Sequence, residues 1–153
     1  MAIGQSKLHA ILSKGRMLSE SVAWFNAFSP TTRREIIEFV QQDQLMSKGI
    51  DGDNKVIGYY SYLTSLINPK KKFNTPFTLY DTGEFYRSMY VRVLLDAITI
   101  EGDTRKMEDK RWWHDSILSL TDENIAKLRV IVRDSYIKEI KSVLFNYWRF
   151  SIV

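Results

Sequence analysis

The longest regular pattern of apolar and polar positions lies at the C-terminal end of the chain. Thr121 follows the apolar Leu120 and precedes two acidic residues, an order typical of a helix N-cap with a hydrophobic staple to Ile125. Apolar side chains then recur at helical spacing over about seven turns: Ile125, Leu128, Val132, Tyr136, Ile140, Val143, Leu144 and Tyr147. The pattern predicts a long helix that outruns its own small domain. Tyr147, Trp148 and Phe150 are candidate contacts with a partner.

Two shorter helices are predicted near the N-terminus. One begins at Ser29-Pro30, a serine cap followed by proline at the first helical position, with a box from Thr32 to Glu35 as an alternative start. Gly49 is a natural end of this helix. The apolar residues of the helix recur at roughly helical spacing: Ile36, Ile37, Val40 and Leu45. An earlier helix around Leu18–Phe28 is expected to turn one aromatic and aliphatic side inward: Val22, Phe25 and Phe28.

A period of two replaces the helical period after residue 89. Val91, Val93 and Leu95 alternate with Tyr90 and Arg92. After a short turn at Asp96-Ala97, Ile98 and Ile100 alternate with Thr99 and Glu101. This pattern predicts a β-hairpin with one buried face. A charged connection that ends in two tryptophans then leads to the C-terminal helix.

Residues 50–80 lack a sustained period and are interrupted by glycine and proline. A loose hairpin around Asp51–Asn54 followed by a long loop is the expected structure. Tyr59, Tyr60, Tyr62, Leu63 and Phe77 make the segment too apolar for a free linker, so we expect it to pack on its own domain or on a neighbouring subunit.

These patterns together predict an α+β fold in a single domain, residues 1–153. Its N-terminal part, 1–49, is helical; its central part, 50–101, holds the long loop and the hairpin-based sheet; its C-terminal part, 102–153, holds the connection and the long helix. The length of 153 residues suits one domain with a real core.

Composition narrows the class of protein. The net charge of +4 is spread along the chain, whereas a nucleic-acid-binding domain more often concentrates its basic residues on one face. The chain has no cysteine, which excludes disulfides and thiolate metal sites. No apolar run is long enough to cross a bilayer and no secretory signal is visible, so we expect a protein that is not exported and does not contact a membrane.

The stretch Asp81-Thr82-Gly83 is the main catalytic candidate. An aspartic protease presents its carboxylate in this way, but it needs two carboxylates that share a proton, and here Glu84 follows where that family has a small residue. The local interpretation is a helix start, with Asp81 capping the turn and Glu84 completing an Asp-x-x-Glu box. Phe85 and Ser88 or Met89 then fall on one face of that helix.

Other chemistry has less support in the sequence. His9 and His114 are the only histidines and have no ligand partner at metal spacing. There is no glycine-rich phosphate loop and no nucleophile elbow. We therefore expect no enzyme activity, no cofactor and no bound metal.

The order of the central motifs is more informative than any one of them. Tyr60-Ser61-x-x-Thr64 precedes a basic stretch with proline, and Leu79-x-Asp81-Thr82-Gly83-x-Phe85-x-x-Ser88 then leads into the predicted strand. In this order the segment, about residues 44–101, resembles the small neck proteins of tailed bacteriophages, the minor virion proteins known as head–tail connectors or tail-completion proteins. Phe85 and Met89 stand where that family more commonly has Leu and Ile, and the flanking helices have no counterpart in the resemblance.

The resemblance implies a structural virion protein that assembles as a homo-oligomeric ring at the portal–tail junction. It would be made in the bacterial cytoplasm and bind itself and neighbouring portal, connector or tail proteins, with passing contact to genomic DNA. Asp81, Thr82, Gly83, Phe85 and Ser88 would form the structural core of the motif. Tyr60, Ser61 and Thr64 would hold the preceding loop, and the lysines of the basic stretch would contact an acidic partner or DNA: Lys70, Lys71 and Lys72.

Three alternatives to this function stay open on the sequence alone. The first is a soluble adaptor or assembly factor that binds partner proteins and never enters a particle. The second is a nucleic-acid-binding module, whose affinity would fall steeply with salt. The third is an enzyme.

Overall fold

The structure, a computed structural model, describes the backbone of residues 21–150 and the side chains of residues 21–142 and 145. Its elements are helices and one two-stranded antiparallel sheet, so the predicted α+β class is confirmed. Contacts divide the chain into two compact units, one from Arg33 to Leu128 and one from the residues up to Thr32 together with those from Arg129. The prediction of a single domain stays a prediction.

Helix α1 is described over residues 21–27, and α2 spans Pro30–Glu38. The Ser29 hydroxyl accepts a hydrogen bond from the Thr32 amide at 3.2 Å, so Ser29 is the cap and the alternative box at Thr32 is wrong. The predicted inner face of α1 is correct for Phe28 and wrong for Val22 and Phe25. Ala23, Ala27 and Phe28 are buried, while Val22 and Phe25 are exposed, because the small alanines four positions apart form the face that packs.

A π-helix, Phe39–Met46, continues directly from α2. The predicted core positions Ile36, Val40 and Leu45 are fully buried. The segment ends at Gly49, whose φ of 62° is left-handed and whose missing Cβ leaves room for Pro76 and the Phe77 carbonyl.

Residues 50–80 are more ordered than a long loop. Asp51–Lys55 form the predicted turn between the bridged residues Ile50 and Val56. A short helix that the sequence reading missed, α3 at Tyr62–Ile67, follows. Helix α4 then spans Glu84–Ser88, directly after the Asp-Thr-Gly stretch.

The predicted hairpin is present as β1, Tyr90–Val93, and β2, Ile98–Glu101, with Val91 opposite Ile100 and Val93 opposite Ile98. The turn is one residue earlier than predicted, since the Leu94 amide donates to the Ala97 carbonyl at 2.8 Å and Leu95 lies in the turn. Leu95 is therefore 73% exposed instead of continuing the buried face of β1.

A 3₁₀-helix, Asp115–Leu118, precedes the long helix α5, Asp122–Phe150. Thr121 is its cap, as predicted, because its hydroxyl accepts from the Asn124 amide at 3.3 Å. On the predicted stripe Val132 is buried, and Ile125, Leu128, Tyr136 and Ile140 are half-buried. The side chains of Val143, Leu144, Tyr147, Trp148 and Phe150 lie outside the described residues.

The core of the Arg33–Leu128 unit gathers side chains from most of its elements. Val40 and Leu45 pack with Ile57, Ile117 and side chains from the α4 region. Trp112 and Trp113, the two tryptophans of the charged connection, pack against this cluster. Phe85 and Tyr86 of α4 and Met89 directly after it complete the cluster. In the other unit, Trp24 lies edge-on to Phe28 at 4.8 Å and to Tyr136 at 6.5 Å.

Candidate functional site

The central motif has two halves, residues 60–72 and residues 79–88, and both line one cleft of about 400 Å³. Tyr60, Thr64 and Lys71 come from the first half, and the second half supplies residues 81–85. The Tyr60 hydroxyl accepts from the Thr78 amide at 3.1 Å, and its ring lies edge-on to Phe77 at 5.0 Å. The fold therefore joins motifs that are separate in sequence.

Asp81 does not cap α4, which corrects the prediction. Its exposed carboxylate accepts from the Lys71 ammonium at 2.9 Å, and that ammonium also lies 5.8 Å from the centre of the Tyr60 ring. The cap position belongs to Gly83, which has a φ of 79° and makes no side-chain cap bond. The Asp-Thr-Gly stretch is a helix start, as expected, but backbone geometry and not a carboxylate sets it.

Polar side chains around the start of α4 tie it to neighbouring segments. The Lys106 ammonium donates to Glu84 at 2.6 Å and holds the pKa of this carboxyl below its usual value. Thr82 contributes its hydroxyl, which accepts from the Glu84 amide at 3.4 Å, and its carbonyl, which accepts from Arg87 at 3.2 Å. Glu84 thus pairs across the cleft and does not complete a capping box.

The remaining motif residues of α4 serve packing. Phe85 is buried in the core, and the hydroxyl of Ser88 accepts from the Asp103 amide at 2.8 Å while donating to the Phe85 carbonyl at 2.7 Å. The buried Tyr86 hydroxyl donates to the Thr78 carbonyl, and burial raises the pKa of Tyr86. Phe85 and Ser88 therefore hold α4 against the core and against the segment after β2.

The first half of the motif caps α3. The Ser61 hydroxyl accepts from the Thr64 amide at 3.2 Å and shares a hydrogen bond with the Thr64 hydroxyl at 3.0 Å. A Ser-x-x-Thr pair is a local cap signature, so the sequence did contain the signal for this helix. Of the three lysines, Lys71 pairs with Asp81 within the chain, while Lys70 and Lys72 are exposed.

The cleft offers little for acid–base catalysis. Its three carboxylates are each paired with a cation: Asp81 with Lys71, Glu84 with Lys106 and Asp103 with Arg105. An aspartic protease pair needs two adjacent carboxylates that share one proton. The contacts in the cleft hold segments together, and the absence of enzyme activity stays a prediction.

A serine, a histidine and an aspartate meet elsewhere in the same unit, which the sequence did not reveal. The buried Asp51 lies 3.5 Å from the His114 Nε2 and accepts from the Ser116 hydroxyl at 3.3 Å, and His114 Nδ1 lies 2.7 Å from that hydroxyl. Asp51 also accepts from the Lys55 amide at 2.8 Å. Because Ser116 bonds directly to the carboxylate, the cluster fastens the Asp51 turn to the 3₁₀-helix and does not prepare a nucleophile. His9 lies outside the described residues.

An exposed apolar surface is the other feature that the sequence did not place. We call it the α3 patch, and it consists of Tyr62, Leu63, Leu66, Ile67 and Phe73. No side chain of α3 is buried, and Ile67 is 86% exposed. A contiguous apolar surface of this kind typically marks an interaction site.

No protein family, curated protein or solved structure matched the chain. Among residues 21–150, no helix is both long and apolar enough to span a bilayer. The described part of the chain also holds no group of three or more histidine, aspartate or glutamate side chains able to bind a metal ion.

Proposed function

We propose that the chain is a structural subunit of a tailed-phage virion that forms a ring at the head–tail junction. The observation that carries the proposal is the meeting of both motif halves in one cleft. Tyr60 and Lys71 contact the segment that contains Asp81, and Ser88 anchors the helix that follows it. This arrangement supports the architectural role that the resemblance assigns to these residues.

The α3 patch supports a function in protein binding. A subunit that acts by joining neighbours needs a stable core and an exposed apolar surface that a partner covers. The core beneath the cleft is the stable core, and Tyr62, Leu66 and Ile67 belong to the exposed apolar surface. The exposed Lys70 and Lys72 lie between the patch residues Ile67 and Phe73 in sequence, where an acidic partner or passing DNA would meet them.

Quantitative peptide mass spectrometry on density-purified particles tests this proposal. The expected result is the chain at a low, fixed copy number per particle, comparable with that of the portal protein in the same sample. A copy number comparable with that of the shell or tail-tube protein would contradict a position in the neck.

The same experiment separates the proposal from its closest alternative. A soluble assembly factor that binds partners and never enters the virion would be abundant in the infected lysate and missing from purified particles. Major capsid and portal peptides from the same fractions control for recovery. A chain found only in the lysate would therefore replace the virion function with the assembly-factor function.

A further inference from the structure

The α3 patch is held rigidly, although it is exposed. The Tyr60 amide donates to the Thr75 carbonyl and the Asn74 amide donates to the Tyr60 carbonyl, both at 3.0 Å, so the ends of the segment that carries α3 are joined. Phe73 lies edge-on to Tyr62 at 6.0 Å, which links the helix to the chain beyond it. The patch is thus preorganised for a partner, which reduces the entropy cost of binding.

A second apolar feature in the same unit has the opposite shape. A groove of about 780 Å³ runs between β2 and the first turns of α5, and we call it the β2 groove. Its apolar lining includes half-buried side chains from β2, the connection and α5: Ile100, Trp113, Leu118, Leu120, Ile125 and Leu128. The groove and the α3 patch share no residue.

Charge distinguishes the two surfaces. The β2 groove is lined by the carboxylates of Glu101, Glu108 and Asp115, and its described lining contains no lysine or arginine. Glu101 is paired with Arg92 at 2.8 Å, whereas Glu108 and Asp115 are exposed. The groove therefore has an acidic rim.

The surroundings of the α3 patch have the opposite sign. Residues 56–80 contain three lysines and no acidic residue, and two of those lysines, Lys70 and Lys72, are exposed. Lys71 is paired with Asp81. An exposed apolar patch with a basic rim and an apolar groove with an acidic rim are complementary in both character and charge.

We infer that the α3 patch of one copy of this chain docks into the β2 groove of the next copy. The contact joins two different surfaces, so it is heterologous, and repeated heterologous contacts close into a ring or extend as a filament. This inference rests on the proposed function for its biological setting, because it names the surfaces through which ring subunits would meet. Leu66 and Ile67 provide the apolar contact, and Lys70 and Lys72 face Glu108 and Asp115.

Sedimentation of the purified full chain tests the contact. The wild-type chain is expected to associate as its concentration rises from about 1 μM to about 1 mM, the range of weak to moderate affinities. Ile67→Glu is expected to weaken association about tenfold or more, because it places a charge in the apolar contact. Leu95→Glu is the matched control, since Leu95 is also an exposed aliphatic side chain but lies in the hairpin turn outside both surfaces. A wild-type chain that stays monomeric throughout, or equal effects of the two variants, would overturn the inference.

Charge reversal tests which surfaces meet. Lys70→Glu with Lys72→Glu is expected to weaken association of that variant with itself, as is Glu108→Lys with Asp115→Lys. Mixing the two variants restores association in a heterologous contact, because the reversed patch meets a reversed groove in the mixture. If the patch instead binds a second patch, the reversed lysine positions never meet the groove of another copy. The groove variant then associates as strongly as the wild-type chain, and this result refutes docking into the groove.

Failure of this contact is distinguishable from failure of the proposed function. A chain that associates through these surfaces but is missing from particles refutes the neck function and retains the contact. The opposite result is a chain that is present at portal-like copy number but is monomeric in solution, while the Ile67→Glu variant is lost from particles. This result refutes the contact between copies and assigns the patch to contact with a different virion protein.

Discussion

At the scale of single residues, the fully buried Gln44 connects three segments of the Arg33–Leu128 unit. Its amide nitrogen donates to the Ser119 carbonyl at 2.9 Å, and its carbonyl oxygen accepts from the Thr121 amide and the Asn124 side chain, both at 3.0 Å. The π-helix carries Gln44, while its partners precede or begin α5. A buried polar side chain with all its groups paired fixes one arrangement of these segments.

Replacing this side chain is expected to destabilise the fold. Gln44→Ala removes the partner of the Thr121 amide and of the Ser119 carbonyl and leaves the Asn124 side-chain amide with only the Phe39 carbonyl as acceptor, which lowers the free energy of unfolding by about 2–4 kcal/mol. Gln42→Ala is the control, because Gln42 lies on the same π-helix and is exposed. Urea unfolding followed by tryptophan fluorescence measures both variants, and equal stabilities would contradict the network.

Gly83 is required by backbone geometry. Its φ of 79° is left-handed, and an added Cβ would lie 2.9 Å from the Arg87 guanidinium and 3.1 Å from the Tyr80 hydroxyl. Gly83→Ala is therefore expected to lower the free energy of unfolding by about 1–2 kcal/mol, the cost of a left-handed conformation for a residue with a Cβ.

Gly102→Ala is the matched control for this substitution. A Cβ at Gly102 has its nearest atom at 3.4 Å, an ordinary contact, and this glycine has no left-handed φ. Urea unfolding of the two variants under identical conditions measures the difference. A Gly83→Ala protein as stable as the Gly102→Ala protein would show that the start of α4 does not depend on this conformation.

Local sequence was enough to predict residues that act through their immediate neighbours. Ser29, Thr121 and the turn at Asp51 satisfy amide groups within four positions of themselves, so their spacing alone indicates their role. Asp81 was predicted wrongly because its ion pair with Lys71 comes from a segment ten positions away and competes with capping. The partners of Gln44, and Asp51 as the acidic partner of His114, lie farther still along the chain, where spacing carries no information.

At the scale of elements, ion pairs connect the start of α5 to the π-helix and the residues after it. Lys127 contacts Asp43 at 3.1 Å and Glu123 at 3.0 Å, and Lys48 contacts Glu123 at 3.3 Å. Hydrogen bonds from Lys127, and then from Lys48, hold the pKa of Glu123 below its ordinary value of 4.5. All four side chains are well exposed, so the pairs add only modestly to stability.

This depressed pKa predicts a direction of pH dependence. Because Glu123 binds its proton less readily in the folded chain, its pairs stabilise the fold above the ordinary pKa of 4.5, and this contribution is lost as the pH falls through the lower folded value. Carbon NMR titration of the Glu123 carboxyl is expected to give a midpoint below 4.5.

Lys127→Met supplies the comparison for this titration. Removal of the principal hydrogen-bond donor is expected to move the Glu123 midpoint upward, toward the ordinary value. Lys138→Met, at an exposed position of the same helix, is the control and leaves the midpoint unchanged. An unchanged Glu123 midpoint in Lys127→Met would contradict the assignment of this pair.

The elements themselves were predicted where periodicity and caps agreed. The starts of α2 and α5 follow from such agreement, and the hairpin follows from its period of two. The helix after Asp-Thr-Gly was placed correctly although its predicted cap was wrong. The π-helix was missed because the five-residue step from Val40 to Leu45, which exceeds the α-helical spacing, was taken as an approximate α-helical period. Helix α3 was missed because none of its side chains is buried, so it lacks the one-sided pattern that identifies an amphipathic helix.

At the scale of the whole molecule, the chain combines a packed motif with surfaces that remain uncovered. The motif residues face a cleft whose carboxylates are paired, and the apolar residues of α3 face outward. The resemblance supplied the motif and its proposed setting, whereas the α3 patch and the β2 groove depend on how distant segments pack. These surfaces could not be read from the sequence, because exposure is a property of the folded chain.

The most direct test of the proposed neck function is the position of the chain in the particle. Purified phage particles carrying an affinity-tagged copy of the chain, labelled with gold and imaged by electron microscopy, are expected to bear the label at the junction of head and tail. An untagged phage preparation controls for nonspecific gold. Label along the tail, over the shell or at background level on intact tailed particles would contradict the account.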